Sequence, residues 1–193
     1  MPHVFDAKQK HKLDNPERRK MLPPVETLQK FGLQPGDVVA DIGCGIGYFT
    51  IPAAKLVGAE GKVFALDISE EMLIEVKNRT AVEGIKNLEL LKVEENQFSL
   101  ASDSTSFVFL AFVLHEVPEL KEYLRQVIGI LKSGGRIGII EWQKQDMPMG
   151  PPVKHRLAQE DLINLLGELG LQGIQNIDLS NSFYGLLAEK SEN

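Results

Sequence analysis

The sequence of 193 residues is poor in several features, and each shortage closes off a class of function. It has a single cysteine, Cys44, so neither an internal disulfide framework nor a multi-cysteine metal site can be built. No apolar run approaches the roughly 18–20 residues needed to cross a bilayer, and the opening stretch MPHVFDAKQKHKLDNPERRK lacks the apolar centre of a signal peptide. A cytoplasmic protein without a membrane partner is expected. There is no surplus of positive charge: the net charge of −6 argues against a broad nucleic-acid-binding face, while leaving room for a local basic patch. His3, His11, His115 and His155 stand at no familiar ligand spacing, so no metal is expected. Internal repeats and low-complexity tracts are absent too. What remains is one compact domain over residues 1–193, long enough for its own core.

Hydrophobic patterning orders that domain. Pro16 suits the first turn of a helix running from about Glu17 to Phe31, which Pro23-Pro24 would kink or split. After the turn at LQPGD, VVADI (38–42) has the β-branched start of a buried strand. A helix over Tyr48–Leu56 and a strand over Lys62–Ile68 follow. Ser69 can cap the next helix (69–84), with Glu70 and Glu71 at its positive end. NLELLKV (87–93) and Ser106–Leu114 read as strands three and four, the latter apolar on both faces like a central parallel strand. In Pro118–Leu131, Leu120, Leu124, Val127, Ile128 and Leu131 recur at helical spacing. Ser133-Gly134-Gly135 turns into strand five, RIGIIEW (136–142). A long loop, a helix over 158–170 and two strands, GIQNIDLS and FYGLLAEK, joined at Asn181-Ser182, complete the chain. Alternating strands and helices predict an α/β three-layer sandwich around a mostly parallel sheet, with an antiparallel edge from the last pair.

Gly43, Gly45 and Gly47 lie where strand one ends, the place where open α/β sheets bind ligands. Glycine permits positive φ and removes Cβ, so a ligand can approach the main chain at a helix start. A tight turn without a ligand is the plain alternative. The loop lacks the GxxxxGK[ST] of a phosphate-binding P-loop, and its third glycine comes one residue too early for the dinucleotide fingerprint G-x-G-x-x-G. Asp67 ends strand two, next to strand one, where an acid can accept hydrogen bonds from both hydroxyls of a ribose. It can also cap the following helix, a role that Ser69 already offers.

VVADIGCGIGYFT, KVFALDIS, SFVFLAFVLHEV and LKSGGRIGIIEW, in that order, resemble the successive motifs of class I S-adenosylmethionine-dependent methyltransferases, in particular the small-molecule type 11 group with its quinone and arsenite enzymes. The likeness covers roughly residues 35–142. It implies a Rossmann-like sheet of seven strands with the last antiparallel, S-adenosyl-L-methionine as methyl donor and S-adenosyl-L-homocysteine as product. It further implies that Asp41 and the loop residues Gly43, Cys44, Gly45, Gly47 and Tyr48 surround the methionine part of the cofactor. Asp67, with Ile68 beside it, would hold the ribose, and Glu94, Glu95 and Asn96 are the candidates for the adenine. Val108 departs from the family, whose members commonly carry an acid there.

For the methyl acceptor, strand four delivers His115 and Glu116. His115 is the leading candidate for a substrate contact or base, since an imidazole titrates near neutrality; a helix cap or a local hydrogen bond is the plain reading. Glu116 would orient it or close the cofactor pocket. Trp142 offers a wall to an apolar acceptor or is simply core. Lys154, His155 and Arg156 read either as anion contacts or as a solvated basic patch. The segment before strand one (1–34) is a candidate lid, with His11, Arg18, Arg19 and Tyr48 as closing residues. Arsenite is disfavoured because its capture needs several thiolates. The acidic balance and the absence of an NPPY motif disfavour nucleic acid without excluding it, so a small-molecule acceptor is expected, with protein or RNA methylation as the alternative. A cofactor-binding protein of the same fold without turnover is the reading from another class, and the oligomeric state stays open.

Overall fold

The computed structural model describes residues 13–94 and 97–192. Glu95 and Asn96, two of the adenine candidates, lie outside the described residues, as do His3 and His11.

Seven strands form one sheet: β1 (Val38–Ile42), β2 (Lys62–Asp67), β3 (Leu88–Lys92), β4 (Thr105–Ala111), β5 (Leu131–Trp142), β6 (Leu171–Ser180) and β7 (Phe183–Lys190), in the order β3-β2-β1-β4-β5-β7-β6. The first five pair in parallel, and β7 runs antiparallel to both β5 and β6. Among the described residues, six α-helices accompany the strands: α1 (Pro16–Met21), α2 (Pro24–Lys30), α3 (Thr50–Val57), α4 (Glu70–Glu83), α5 (Leu120–Ile130) and α6 (Gln159–Glu168). This is the α/β sandwich that the alternation of elements predicts, with the Rossmann-like seven-stranded sheet that the family resemblance implies. None of the helices is long and apolar enough to cross a membrane among the described residues.

The helices follow local chemistry. Asn15 caps α1 by accepting from the Arg18 amide at 2.9 Å, and Pro16 and Pro24 each open a helix, so the expected N-terminal helix is split in two. Ser69 caps α4 through the Met72 amide, and Gly84 ends it in the left-handed conformation. Both faces of the sheet are covered, which is why β4 carries no polar face: Phe107, Val108, Phe109 and Leu110 are all buried. One face packs on α5 and α6 through Leu124, Val127, Leu162 and Leu166, and the other on α2 and α3. Phe31, just after α2, meets Phe109 edge-on at 5.3 Å. Its ring lies on Gly138 and Gly185 of β5 and β7, where an added Cβ would come within 2.8 and 2.9 Å. Burying one such ring contributes about 1.5–3 kcal/mol.

Three of the boundaries that differ from the sequence expectation have a clear backbone reason. β5 starts at Leu131, because Leu131 already pairs with Thr105 before the Ser133–Gly135 irregularity shifts the register to Phe107–Arg136. α3 starts at Thr50, since Gly43, Gly45 and Gly47 all have positive φ and hold the preceding residues in turns. β4 ends at Ala111 because Phe112 turns to φ +63°, after which Leu114–Glu116 form one 3-10 turn. A bulky residue rarely takes that conformation, and this one stands at the carboxyl edge of the sheet.

Candidate functional site

Two acids end the first two strands side by side. β1 and β2 pair Asp41 with Ala65 and Ile42 with Leu66, so Asp41 and Asp67 both reach the carboxyl edge. Asp41 is buried, and its Oδ2 accepts a hydrogen bond of 2.5 Å from the Thr50 hydroxyl at the start of α3. Burial pushes its carboxyl up to about 7; the Thr50 bond works against this and the nearby Asp67 adds to it. Asp67 is also raised by burial, opposed by backbone N–H groups of Ser69, Gly45 and Ile68. Its Oδ2 accepts from the Gly45 amide and its Oδ1 from the Ser69 amide, both at 2.8 Å.

The glycine loop is thereby tied to β2. Gly43 and Cys44 donate their amides to the Leu66 carbonyl, and Gly45 donates to Asp67. The loop thus presses its backbone on the second strand instead of offering these three amides to an anion. A Cβ at Gly43 would lie 2.5 Å from Cγ2 of Val113, so the loop also touches the chain that leaves β4. Cys44 is buried, and burial, with Asp41 and Asp67 nearby, pushes its thiol well above the ordinary range. A thiol so held is a packed side chain and a poor nucleophile. Ile68 is 38 % exposed beside Asp67, an apolar side chain open to solvent at this edge. The Val93 amide donates to the Asp67 carbonyl, which places exposed Glu94 next to the same strand end.

Beyond β4 the 3-10 turn presents His115. Its backbone amide donates to Oε1 of Glu141 at 3.2 Å, and its Nδ1 lies 2.8 Å from Glu141 Oε2. Glu141, next to last in β5, is fully buried. The Glu116 carboxylate is farther, 4.0 Å from Nε2. Burial depresses the imidazole pKa, but the bond to Glu141 and the charges of Glu141 and Glu116 outweigh it, with Arg156 opposing, so His115 is held above its ordinary value. The partner that orients His115 is therefore Glu141, more closely than the adjacent Glu116. A charged residue inside the otherwise apolar run IGIIEW is the sequence signal that singles it out.

An aromatic corner adjoins this pair. Phe112, Trp142 and Phe183 have mutual ring-centroid distances of 5.1, 4.9 and 5.1 Å. Gly150 leaves space for the Trp142 ring, which an added Cβ would meet at 2.7 Å. Arg156 is buried, contrary to a solvated patch: it donates to the carbonyls of Pro151, Gln143, Gln145 and Met149 and so staples the loop after β5. Lys154 and His155 are exposed. From the N-terminal side, the Tyr48 hydroxyl donates to the Leu22 carbonyl at 2.7 Å, and the Arg18 guanidinium carbon stands 4.6 Å from the Tyr48 ring centroid. Tyr48 thus joins the glycine loop to α1. Among the described residues no three His, Cys, Asp or Glu side chains are grouped to hold a metal.

The model of the ubiE/COQ5 methyltransferase family matches residues 24–169. A demethylmenaquinone methyltransferase of Bacillus cereus (strain B4264) is 31 % identical over 122 residues, 63 % of this chain and 52 % of that protein. One from Listeria monocytogenes serotype 4b (strain CLIP80459) is 30 % identical over 123 residues, 64 % of this chain and 52 % of that protein. The chain spans about half the length of the curated relatives it matches. The crystal structure of a SAM dependent methyltransferase from Aquifex aeolicus superposes with a TM-score of 0.90 at 32 % identity, covering 96 % of this chain and 99 % of that one. The [4+2]-cyclase SpnF gives a TM-score of 0.74 at 14 % identity over 90 % of this chain and 81 % of its own. That likeness is one of fold alone, and a cyclase on this fold shows that architecture does not carry an activity.

Proposed function

Because the chain belongs to the ubiE/COQ5 methyltransferase family, we propose that it transfers a methyl group from S-adenosyl-L-methionine to a small-molecule acceptor and releases S-adenosyl-L-homocysteine. The observation that carries this reading is the pair of buried acids, Asp41 and Asp67, at adjoining strand ends beneath a glycine loop. The residues fit that donor. Asp41 is a buried carboxyl satisfied by a hydroxyl, so an ammonium group is the partner that would favour its charged form. Asp67 accepts the Gly45 amide on one oxygen and the Ser69 amide on the other, and its carboxylate retains capacity for a ribose hydroxyl. Ile68 supplies an apolar flank for the adenosine, and Glu94 is the described candidate for its amino group.

When bound, the donor supplies a methyl group on a positively charged sulfur, open to in-line displacement. The chain's own residues align the acceptor and take up its proton. Nδ1 of His115 is committed to Glu141, which leaves Nε2 as the atom that accepts a proton from the nucleophile. Glu141 positions the ring and stabilises the imidazolium. Phe112, Trp142 and Phe183 form an apolar, aromatic wall suited to a planar acceptor. The compartment we assign, from composition, is the cytoplasm.

Mass spectrometry of extract metabolites incubated with S-adenosylmethionine and the protein tests the reading. A species heavier by one methyl group, dependent on both, is the expected result. Calorimetric binding of S-adenosylhomocysteine with no methylated species in any extract fraction would instead describe a binding protein without turnover.

A further inference from the structure

Among the described residues, every arginine but one has an acceptor for its guanidinium. Of Arg18, Arg19, Arg79, Arg125, Arg136 and Arg156, the last five hydrogen-bond carboxylates or carbonyls. The Arg18 guanidinium has none among the described residues, and its Nε is buried without a partner. The nearby acid, Asp14, is taken up by Arg19 at 2.6 Å and by Arg79 at 3.1 Å.

What surrounds Arg18 is aromatic. Its guanidinium carbon lies 4.6 Å from the Tyr48 ring centroid and 5.2 Å from that of Phe112. Ring faces stabilise a cation but give its N–H groups no hydrogen-bond acceptor. Phe112 is the residue forced to positive φ at the end of β4, and its ring touches Trp142, which follows Glu141 in β5. The unpaired cation therefore stands at the carboxyl end of β4, where the chain runs on from Phe112 to His115, on the face of β5 that Trp142 lines and not on the face of Glu141. Tyr48 in turn connects it to the glycine loop, so α1 brings a positive charge to the junction between donor and acceptor sides.

We propose that Arg18 is the specificity-determining residue of the acceptor site and selects a planar acceptor bearing an anionic oxygen, a carboxylate or a phenolate. This rests on the methyl-transfer reading above. A guanidinium flanked by ring faces directs its N–H groups in plane, the geometry that matches such an oxygen, while Phe112 and Trp142 cover the apolar body of the same molecule.

The test uses the full chain loaded with S-adenosylhomocysteine, whose own binding is first measured by calorimetry. Two probe pairs are then titrated at pH 8: 2-naphthoate against 2-naphthamide, and 4-nitrophenolate against 4-nitroanisole. The wild-type protein is expected to favour the anion of at least one pair by about tenfold. Preference within the first pair assigns a carboxylate, and within the second a phenolate. Arg18→Gln should bring the ratio to about one, and Arg18→Lys should restore part of it. Equal binding of anion and neutral probe by the wild type, or an unchanged ratio in a folded Arg18→Gln protein, overturns the proposal. A structural clamp on Tyr48 would alter the melting temperature but not this ratio. Absence of S-adenosylhomocysteine binding would instead overturn the methyl-transfer reading on which it rests.

Discussion

Glu141 grips His115 twice, through the backbone amide at 3.2 Å and the ring Nδ1 at 2.8 Å, although 26 residues separate them in sequence. The pair forms because β4 and β5 end in register, Ala111 opposite Ile140, and the 3-10 turn then folds His115 back over the next residue of β5. An imidazole whose tautomer is set by a buried acid is oriented before any ligand arrives.

Glu141→Gln should lower the pKa of His115, since burial would then oppose the charged ring with only Glu116 left to support it. Proton NMR titration of the imidazole reads the shift directly. The acidic limb of the kcat profile should move to lower pH with it, and His115→Ala should slow turnover about a hundred- to ten-thousandfold. The stability linkage has a definite sign. A histidine raised in the folded state stabilises fully below its unfolded value near 6.5, and the contribution is lost as pH rises through the folded pKa. Urea midpoints of the Glu141→Gln protein should therefore vary less across that window than those of the wild type.

Asp41 should make donor binding depend on pH. Its carboxyl is raised to about 7, so the stability it contributes is complete below the unfolded value near 4 and is lost as pH climbs through 7. An ammonium-bearing ligand favours the ionised form. Affinity for S-adenosylhomocysteine should consequently weaken below pH 7, by up to about tenfold per pH unit. Calorimetry near pH 7 in buffers of different ionisation enthalpy should detect proton release on binding. In Asp41→Asn the release should vanish and the affinity should fall at pH 8.

Asp67→Ala should weaken S-adenosylhomocysteine about ten- to a hundredfold, the loss expected for hydrogen bonds to a charged acceptor. Because the side chain also holds the Gly45 and Ser69 amides, the same change should lower the thermal midpoint. Asp67→Asn, which keeps acceptor oxygen on one side only, should fall between. Unaltered affinity in a folded Asp67→Ala protein would remove Asp67 from the ribose site.

Gly43→Ala combines two costs: a left-handed φ of +70° and a Cβ placed 2.5 Å from Val113 Cγ2. Together they should destabilise the protein by about 2–4 kcal/mol, measured by urea denaturation. Adding Val113→Ala relieves the steric part alone, so the double variant should recover some stability but stay below Val113→Ala.

Local signals made much of this molecule legible in its sequence. The β-branched strand starts, the Ser69 cap, the prolines opening α1 and α2 and the glycines of the first loop act over a few residues. Asp41 and Asp67 follow from them, being the acids that end two neighbouring strands. What the sequence hid depends on register. His115 has Glu116 beside it in the chain, and only the alignment of β4 with β5 brings Glu141 closer. Arg156 reads as part of the exposed cluster KHR, yet four carbonyls of one loop converge on it. The turn at Phe112 carries no residue signal at all, because a phenylalanine is the wrong side chain for positive φ.

The strand order has a consequence for when this corner comes into being. β7 lies between β5 and β6 although it follows both in the chain, and the Phe183 ring it contributes completes the packing around Trp142. During synthesis, β5 must wait with an open hydrogen-bonding edge until β7 emerges and slides in beside it. That edge is apolar, with Ile137, Ile139 and Ile140 along it, and is the segment most exposed to mispairing in the interval. Trp142, the only tryptophan, lies opposite Phe183, the first residue of β7, so its fluorescence should report the docking of that strand against β5.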